Sequence, residues 1–459
     1  MALTADDKMK HARLEGLIAD QEGLFLRRQP ASARMVERAR RSLAGGVTSN
    51  WQIARPQTVW ISHGGGSKIY DLDGKEYVDF HGGYGAMAVG HAHPAIVKAV
   101  SERIGRGSHF AQPIEDAALV AEELARRFGL PLWRFCNSGT EATMDAVHLM
   151  RAATGRPKIV KVEGAYHGHH DSVMVSVADG YPDIGPAERP ESVASGSGLP
   201  PEIIELTVVV PFNDVAALER TFNEHRDSIA GVIMEPVMMN AGIIPPQPDY
   251  LAQLKSIVHR NGSLLAFDEV KTGLTVAPGG VTKSMGVAPD IVTLAKSLGG
   301  GLPCGAIGGS AEIMEFIADG RYEQVGTFNG NPLTMAAARA ALTEVLTDDV
   351  YAGWDDLRTV MVEGCQSVIA ECDIPAHVVA LGAKGCVTFS PTAVTNYREF
   401  LEIDDRFSHC HWLFQHNGGV FLPPWGKAEQ WLLSAQHDDD DAERFVANFT
   451  EFGRAVSRG

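Results

Sequence analysis

Along the middle of the chain, short apolar runs alternate with longer stretches of mixed polarity. Ile159–Val162, Leu206–Val210, Ile229–Met234, Leu264–Phe267 and Ile291–Leu294 are strand-length apolar runs. Val215–His225 and Tyr250–Arg260 lie between such runs with helical spacing, the latter stopped by Asn261-Gly262. Pro113–Phe128 and Glu141–Ala153 keep the same spacing further upstream. Buried strands alternating with helices predict an α/β fold around a mostly parallel sheet covered on both faces.

The two ends read differently. Residues 1 to about 45 are rich in Arg, Ala, Leu and Glu, which predicts one or two surface helices before the Gly45-Gly46 break. Thr58–Ile61, Lys68–Tyr70, the Asp73-Gly74 turn and Tyr77–Phe80 form a hairpin signature. Past about residue 345 the segments are longer and helical, with strands expected at Cys386–Ser390 and Gly419–Leu422. The expected division is an N-terminal helical segment and hairpin (1–80), a large mostly parallel-sheet domain (81–340) and a smaller α+β C-terminal domain (341–459). Ala178–Pro201, rich in Gly, Pro, Ser and acids and without periodicity, is expected to be a long loop of the kind used as a lid. His437–Asp441 is expected to be a solvated acidic tip.

Charge narrows the possible partners. Among 459 residues, 57 acids against 40 Lys and Arg give a formal charge of −17. Such a surface repels phosphate backbones and anionic headgroups, which argues against nucleic-acid and membrane binding. The N-terminal MALTADDKMKHARLEG is charged and has no apolar signal core, and no long apolar window follows, so a cytoplasmic protein is expected. Six cysteines without a CxxC pair read as reduced thiols, with no disulfide framework and no metal site.

Four segments carry candidate chemistry, each with a plain structural explanation when taken alone. Asn137-Ser138-Gly139-Thr140-Glu141-Ala142 opens a helix; it is either an ordinary cap or a cup of backbone N–H groups for an anion. Phe267-Asp268-Glu269-Val270 puts a carboxylate at the end of an apolar strand, the edge where ligands of open α/β sheets collect. Thr293 to Gly301 places Lys296 after another apolar run, ahead of three glycines. A partly buried lysine loses proton affinity and becomes a nucleophile for carbonyls. Gly326-Thr327-Phe328-Asn329-Gly330-Asn331-Pro332 is a turn-rich loop before a helix. A phosphate cup, a carboxylate and a Schiff-base lysine together are what pyridoxal phosphate needs.

These segments stand in one order with GGV at 45–47, the glycine-rich stretch from Gly82 to Gly90, EGAYHGHHDS, MEPV, LAKSLGGGLPCGAIGG and LLSAQH. In this set the chain resembles the class III, fold-type-I pyridoxal-phosphate aminotransferases, and among them the glutamate-1-semialdehyde 2,1-aminomutase-like members, over nearly its whole length. The resemblance implies pyridoxal 5'-phosphate as cofactor and Lys296 as the lysine that forms the internal aldimine and shuttles the substrate proton. It implies that Asp268 pairs with the pyridine nitrogen, that Tyr166 (with His167 beside it) and Val270 cover the two ring faces, and that Ser138, Gly139 and Thr140 hold the phosphate. Glu235 is placed near the phenolic oxygen. Thr327 is expected to reach the phosphate of a neighbouring subunit, making the active unit a homodimer.

One departure bears on substrate. After the GGV segment the aminomutases carry an arginine that clamps the substrate carboxylate, whereas here Gln52 stands there, flanked by Trp51 and Arg55. A neutral amide offers no cationic fork. Trp51, Gln52 and Arg55 are therefore the candidate substrate residues, with Arg55 able to substitute only through a shifted backbone. The expected activity is ping-pong amino transfer between an amino donor and an oxo acceptor; the alternative is intramolecular transfer on glutamate-1-semialdehyde. A non-catalytic cofactor binder conflicts with the joint presence of Lys296, Asp268 and the phosphate segment.

Overall fold

Seven strands form the central sheet of the protein, whose computed structural model describes residues 5–177, 184–424, 426–428 and 430–457. Their order across the sheet is Leu132–Cys136, Gly305–Gly309, Ile291–Leu294, Leu264–Asp268, Ile229–Met234, Lys158–Val162 and Thr207–Val210. Gly305–Gly309 runs antiparallel to both neighbours, and the remaining pairings are parallel. The five apolar runs of the sequence are five of these strands, to within a residue at either end. Ile229–Met234 is buried at every position, as a sheet covered on both faces requires. Leu132–Cys136 and Gly305–Gly309 were not expected. Arg134 interrupts the first, and the second has too few side chains to show a pattern. Its glycines have a packing reason: a Cβ on Gly308 would stand 2.6 Å from the Trp133 ring.

Helices Glu115–Phe128, Gly139–Thr154, Val215–Glu224 and Tyr250–Arg260 flank the sheet at the expected places. In Tyr250–Arg260 the buried Leu251, Leu254, Ile257 and Val258 recur at helical spacing on one face. At the N-terminus, Ala5–Arg28 and Pro30–Ala39 are separate helices, with Pro30 at the start of the second, a position where its missing N–H costs nothing.

The hairpin strands are Ile61–Gly65, Lys68–Asp71 and Glu76–Asp79. Asp71 Oδ1 holds the turn by accepting from the N–H of Asp73 (2.9 Å) and Lys75 (2.8 Å). The fourth strand of this sheet, Val420–Phe421, comes from the far end of the chain and pairs in parallel with Glu76–Asp79. A third sheet contains His377–Leu381, Lys384–Thr388 and Trp431–Leu432.

Two loop expectations change. Of the Ala178–Pro201 tract, residues 178–183 lie outside the described residues. The following part makes fixed contacts with the body of the fold: Val193 O accepts from Ser176 N at 2.7 Å, and Ile184 O accepts from Arg398 Nη2 at 2.7 Å. His437–Asp441 is not simply a solvated tip, because Asp441 is 2% exposed, lies 3.6 Å from Lys68 Nζ and sits in the first turn of the helix Asp439–Ser457. Among the described residues, no helix is long and apolar enough to cross a membrane.

Candidate active site

Strands Leu264–Asp268 and Ile291–Leu294 are neighbours, with Asp268 opposite Thr293, so the segments that follow them leave the same sheet edge. There Asp268 and Lys296 line a cavity of about 390 Å³ together with Ser138, Gly139, Thr140, Tyr166, His167, Glu235 and Val270. Nine residues singled out far apart in the sequence thus meet in one space, and Trp51 joins them.

At one side of the cavity begins the helix Gly139–Thr154. Ser138 is its cap, accepting from Glu141 N at 3.2 Å, so the plain reading of this segment is also true. The N–H groups of Gly139 and Thr140 have no acceptor within the helix, as in any first turn, and the helix dipole favours an anion before them. At Gly139 space is tight: a Cβ would stand 3.0 Å from Val270 Cγ2, so Val270 would have to give way by a few tenths of an ångström. At Gly168, with φ +97, a Cβ would meet Thr140 Cα at 2.7 Å. The loop carrying Tyr166 and His167 therefore closes directly over the helix start.

Asp268 is held from both sides. Oδ2 lies 2.7 Å from His167 Nδ1, and Oδ1 accepts from Val270 N at 3.0 Å. Glu235 is buried, accepting from Tyr166 N (3.1 Å) and Met239 N (2.8 Å); burial raises its pKa, and Asp268 adds to the rise. Tyr166 is likewise raised, by burial and then by Asp268.

Lys296 follows its strand in the left-handed region, φ +47, an uncommon conformation for a residue with a side chain. Burial lowers its pKa to about 7, and neighbouring Lys271 pushes the same way. Its Nζ stands 5.8 Å from the Trp51 ring, whose centroid is 5.0 Å from that of Tyr166. Lys271 donates to Met239 O at 2.7 Å and is lowered to about 8 by burial.

Three sequence candidates fall outside this cavity. Gln52 turns back within a short 3₁₀ turn, Asn50–Gln52, and its Oε1 accepts from Thr48 N (3.1 Å) and Thr48 Oγ1 (2.7 Å). Arg55 is exposed and also outside, so of the three substrate candidates only Trp51 lines the cavity. Thr327 is exposed and borders a separate cavity with His109, Phe110 and Arg134. Conversely, Asn240 and Lys271 line the site and were not named as candidates, while Asn137 lines it from the segment already singled out. Of the two, only Lys271, three residues past Asp268 in one motif, had a local cue.

An anion cradle closed by glycine, a carboxylate fixed on two sides and an amine of lowered proton affinity are the three features pyridoxal 5'-phosphate requires. With the seven-stranded sheet they define a fold-type-I pyridoxal-phosphate enzyme. The sequence profile of the class-III aminotransferases matches residues 52–427, and the chain belongs to that family. A glutamate-1-semialdehyde 2,1-aminomutase of Archaeoglobus fulgidus is 37% identical over 423 residues, 92% of this chain and 98% of the relative. Among solved structures, an omega-transaminase from Sphaerobacter thermophilus superposes with a TM-score of 0.89 at 35% identity, covering 94% of this chain and 99% of that one. A glutamate-1-semialdehyde-aminomutase from Pseudomonas aeruginosa in complex with PMP gives 0.88 at 30% identity, covering 97% and 99%.

Proposed function

We propose that the chain moves an amino group from an amino donor to an oxo acceptor in a ping-pong cycle, with Lys296 as the covalent anchor of the cofactor. The observation that carries this reading is the arrival of Asp268, Lys296 and the start of Gly139–Thr154 in one cavity. When bound, pyridoxal 5'-phosphate supplies the aldehyde that takes up the amino group and the ring that accepts the electron pair. In this reading Ser138, Gly139 and Thr140 bind the phosphate, Tyr166 and Val270 confine the ring, and Asp268 supplies the negative charge for the ring nitrogen. His167 orients Asp268, and Glu235 organises the side of the phenolic oxygen. The Lys296 amine, kept partly neutral by burial, takes a proton from the substrate carbon and returns it.

Thr327 is proposed to act in a neighbouring subunit. Its loop supports this: Val325 is 80% exposed and Phe328 58%, an apolar surface suited to cover by a second copy.

The names of the relatives support the intramolecular alternative more strongly than this reading, because the Archaeoglobus and Pseudomonas proteins are both aminomutases. The intermolecular reading draws on Gln52 in place of the clamping arginine and on the omega-transaminase likeness. The deciding experiment starts with holoenzyme converted to its pyridoxamine-phosphate form. Multiple turnovers of glutamate-1-semialdehyde to 5-amino-4-oxopentanoate, without added donor or acceptor, would establish the mutase. With the pyridoxal-phosphate form instead, loss of the aldimine band with donor alone, its return with an oxo acid, and no such isomerisation would establish the aminotransferase.

A further inference from the structure

Lys384 begins the strand Lys384–Thr388 and is 2% exposed. Among the described residues its ammonium has no hydrogen-bond or ion-pair partner. Three other lysines donate to carbonyls: Lys161 to Val175 O, Lys271 to Met239 O and Lys427 to Leu401 O, each at 2.7 Å. An unpaired buried ammonium is costly; burial lowers the proton affinity of Lys384 well below its ordinary value, and among the described residues the charges acting on it are Lys271 and Lys296, both positive.

The group faces a second cavity of about 310 Å³, which shares Trp51, Tyr166, Asn240 and Lys271 with the first. The two lysines converge on one glycine. A Cβ on Gly85 would lie 2.6 Å from Lys384 Nζ and 4.0 Å from Lys296 Cδ, so a side chain there would block the space between them. The cofactor phosphate cannot be the missing counter-charge, because Ser138, Gly139 and Thr140 border only the first cavity. Neither Gln52, folded onto Thr48, nor exposed Arg55 competes for an anion in this space.

We propose that Lys384 is the carboxylate-binding residue of the active site, and that the substrate is a short amino or oxo acid whose carboxylate meets Lys384 while its reacting carbon faces Lys296. The assignment rests on the amino-transfer reading and gives it a substrate class. Lys384 supplies on the small sheet the cation that the Gln52 position lacks. Convergence at Gly85 keeps the chain between carboxylate and amine short, and Trp51 and Tyr84 offer aromatic walls for its carbon skeleton.

The test uses holoenzyme, native and Lys384→Met, in single-turnover half-reactions with 3-aminobutanoate and with sec-butylamine. Calorimetric titration with unreactive butanoate runs in parallel. The expected result is a rise of roughly 10- to 100-fold in the half-saturating 3-aminobutanoate concentration, the loss of one charge-assisted hydrogen bond. The saturated rate and the sec-butylamine reaction should stay unchanged, and butanoate binding should disappear. Lys384→Arg should retain part of the butanoate affinity. Equal losses for both amines, a fall in saturated rate without a change in half-saturation, or equal butanoate binding by native and variant protein would overturn the assignment. If Lys384→Met fails to fold, Lys384→Gln enters the same measurements. If native enzyme reacts with no donor, the amino-transfer reading fails on its own, and the butanoate comparison still decides whether Lys384 holds a carboxylate.

Discussion

His167 Nδ1 and Asp268 Oδ2 lie 2.7 Å apart with His167 fully enclosed, and among the described residues the far ring nitrogen, Nε2, is buried without a hydrogen-bond partner. The imidazole is thus committed to Asp268, and the carboxylate cannot rotate without breaking that contact or the one from Val270 N. Such double restraint keeps the charge in place before any ligand arrives.

Asp268→Asn should preserve the fold and cofactor loading but lower turnover by about 10²- to 10³-fold, the usual cost of removing one preorganised electrostatic group. Half-reaction rates under saturating donor measure it. A variant within a few-fold of native would place the pyridine-nitrogen partner elsewhere.

Borohydride reduction of holoenzyme should fix the cofactor on the peptide containing Lys296. Lys296→Ala should lose turnover while circular dichroism stays native, since the group acts in bond making rather than packing. Mass spectrometry finding the label on Lys271 or Lys384 would reassign the anchor.

Cofactor-free protein should carry a pH signature of Lys296. Its folded pKa, about 7, lies below the unfolded value of 10.5, so between these limits the unfolded chain binds the extra proton. Stability from this group therefore rises with pH, and its full penalty is present below about pH 7. Lys296→Met removes the penalty, so the apo variant should melt above apo native at pH 7, with the gap closing toward pH 10. A gap independent of pH would mean the amine is not desolvated.

Most of the central sheet was legible because each strand is an uninterrupted apolar run, as in Ile229–Met234, and strong caps such as Asn261 mark the helix ends. Gly305–Gly309 was not, since its sequence offers hardly any side-chain pattern to read. Asp268 and Lys296 were visible because each ends such a run. Trp51 was legible as a candidate, but Gln52 and Arg55 were misplaced: the choice depends on a 3₁₀ turn that sends Gln52 toward Thr48. Lys384 had no signal, because its importance comes from a glycine some three hundred residues away.

Glu269, beside Asp268 in the same motif, should matter for stability rather than chemistry. It is 1% exposed and accepts from Val281 N (2.8 Å), Thr282 N (2.7 Å) and Thr272 Oγ1 (2.7 Å). Glu269→Ala leaves buried donors unmet and should cost about 3 kcal/mol or more, read from denaturant midpoints, while Glu269→Gln should recover much of it. A near-native Glu269→Ala would show that water replaces the carboxylate.

The pairing of Val420–Phe421 with Glu76–Asp79 has a consequence during synthesis. The N-terminal hairpin leaves the ribosome with one edge open, and the strand that completes it follows about 340 residues later. At ~5–20 residues per second the edge stays uncovered for roughly 20–70 s. An unpaired edge is a template for strands of other nascent chains. Among the described residues this closure is also the longest-range pairing between strands, so a polysome with many copies in progress is where misassembly has its best opportunity.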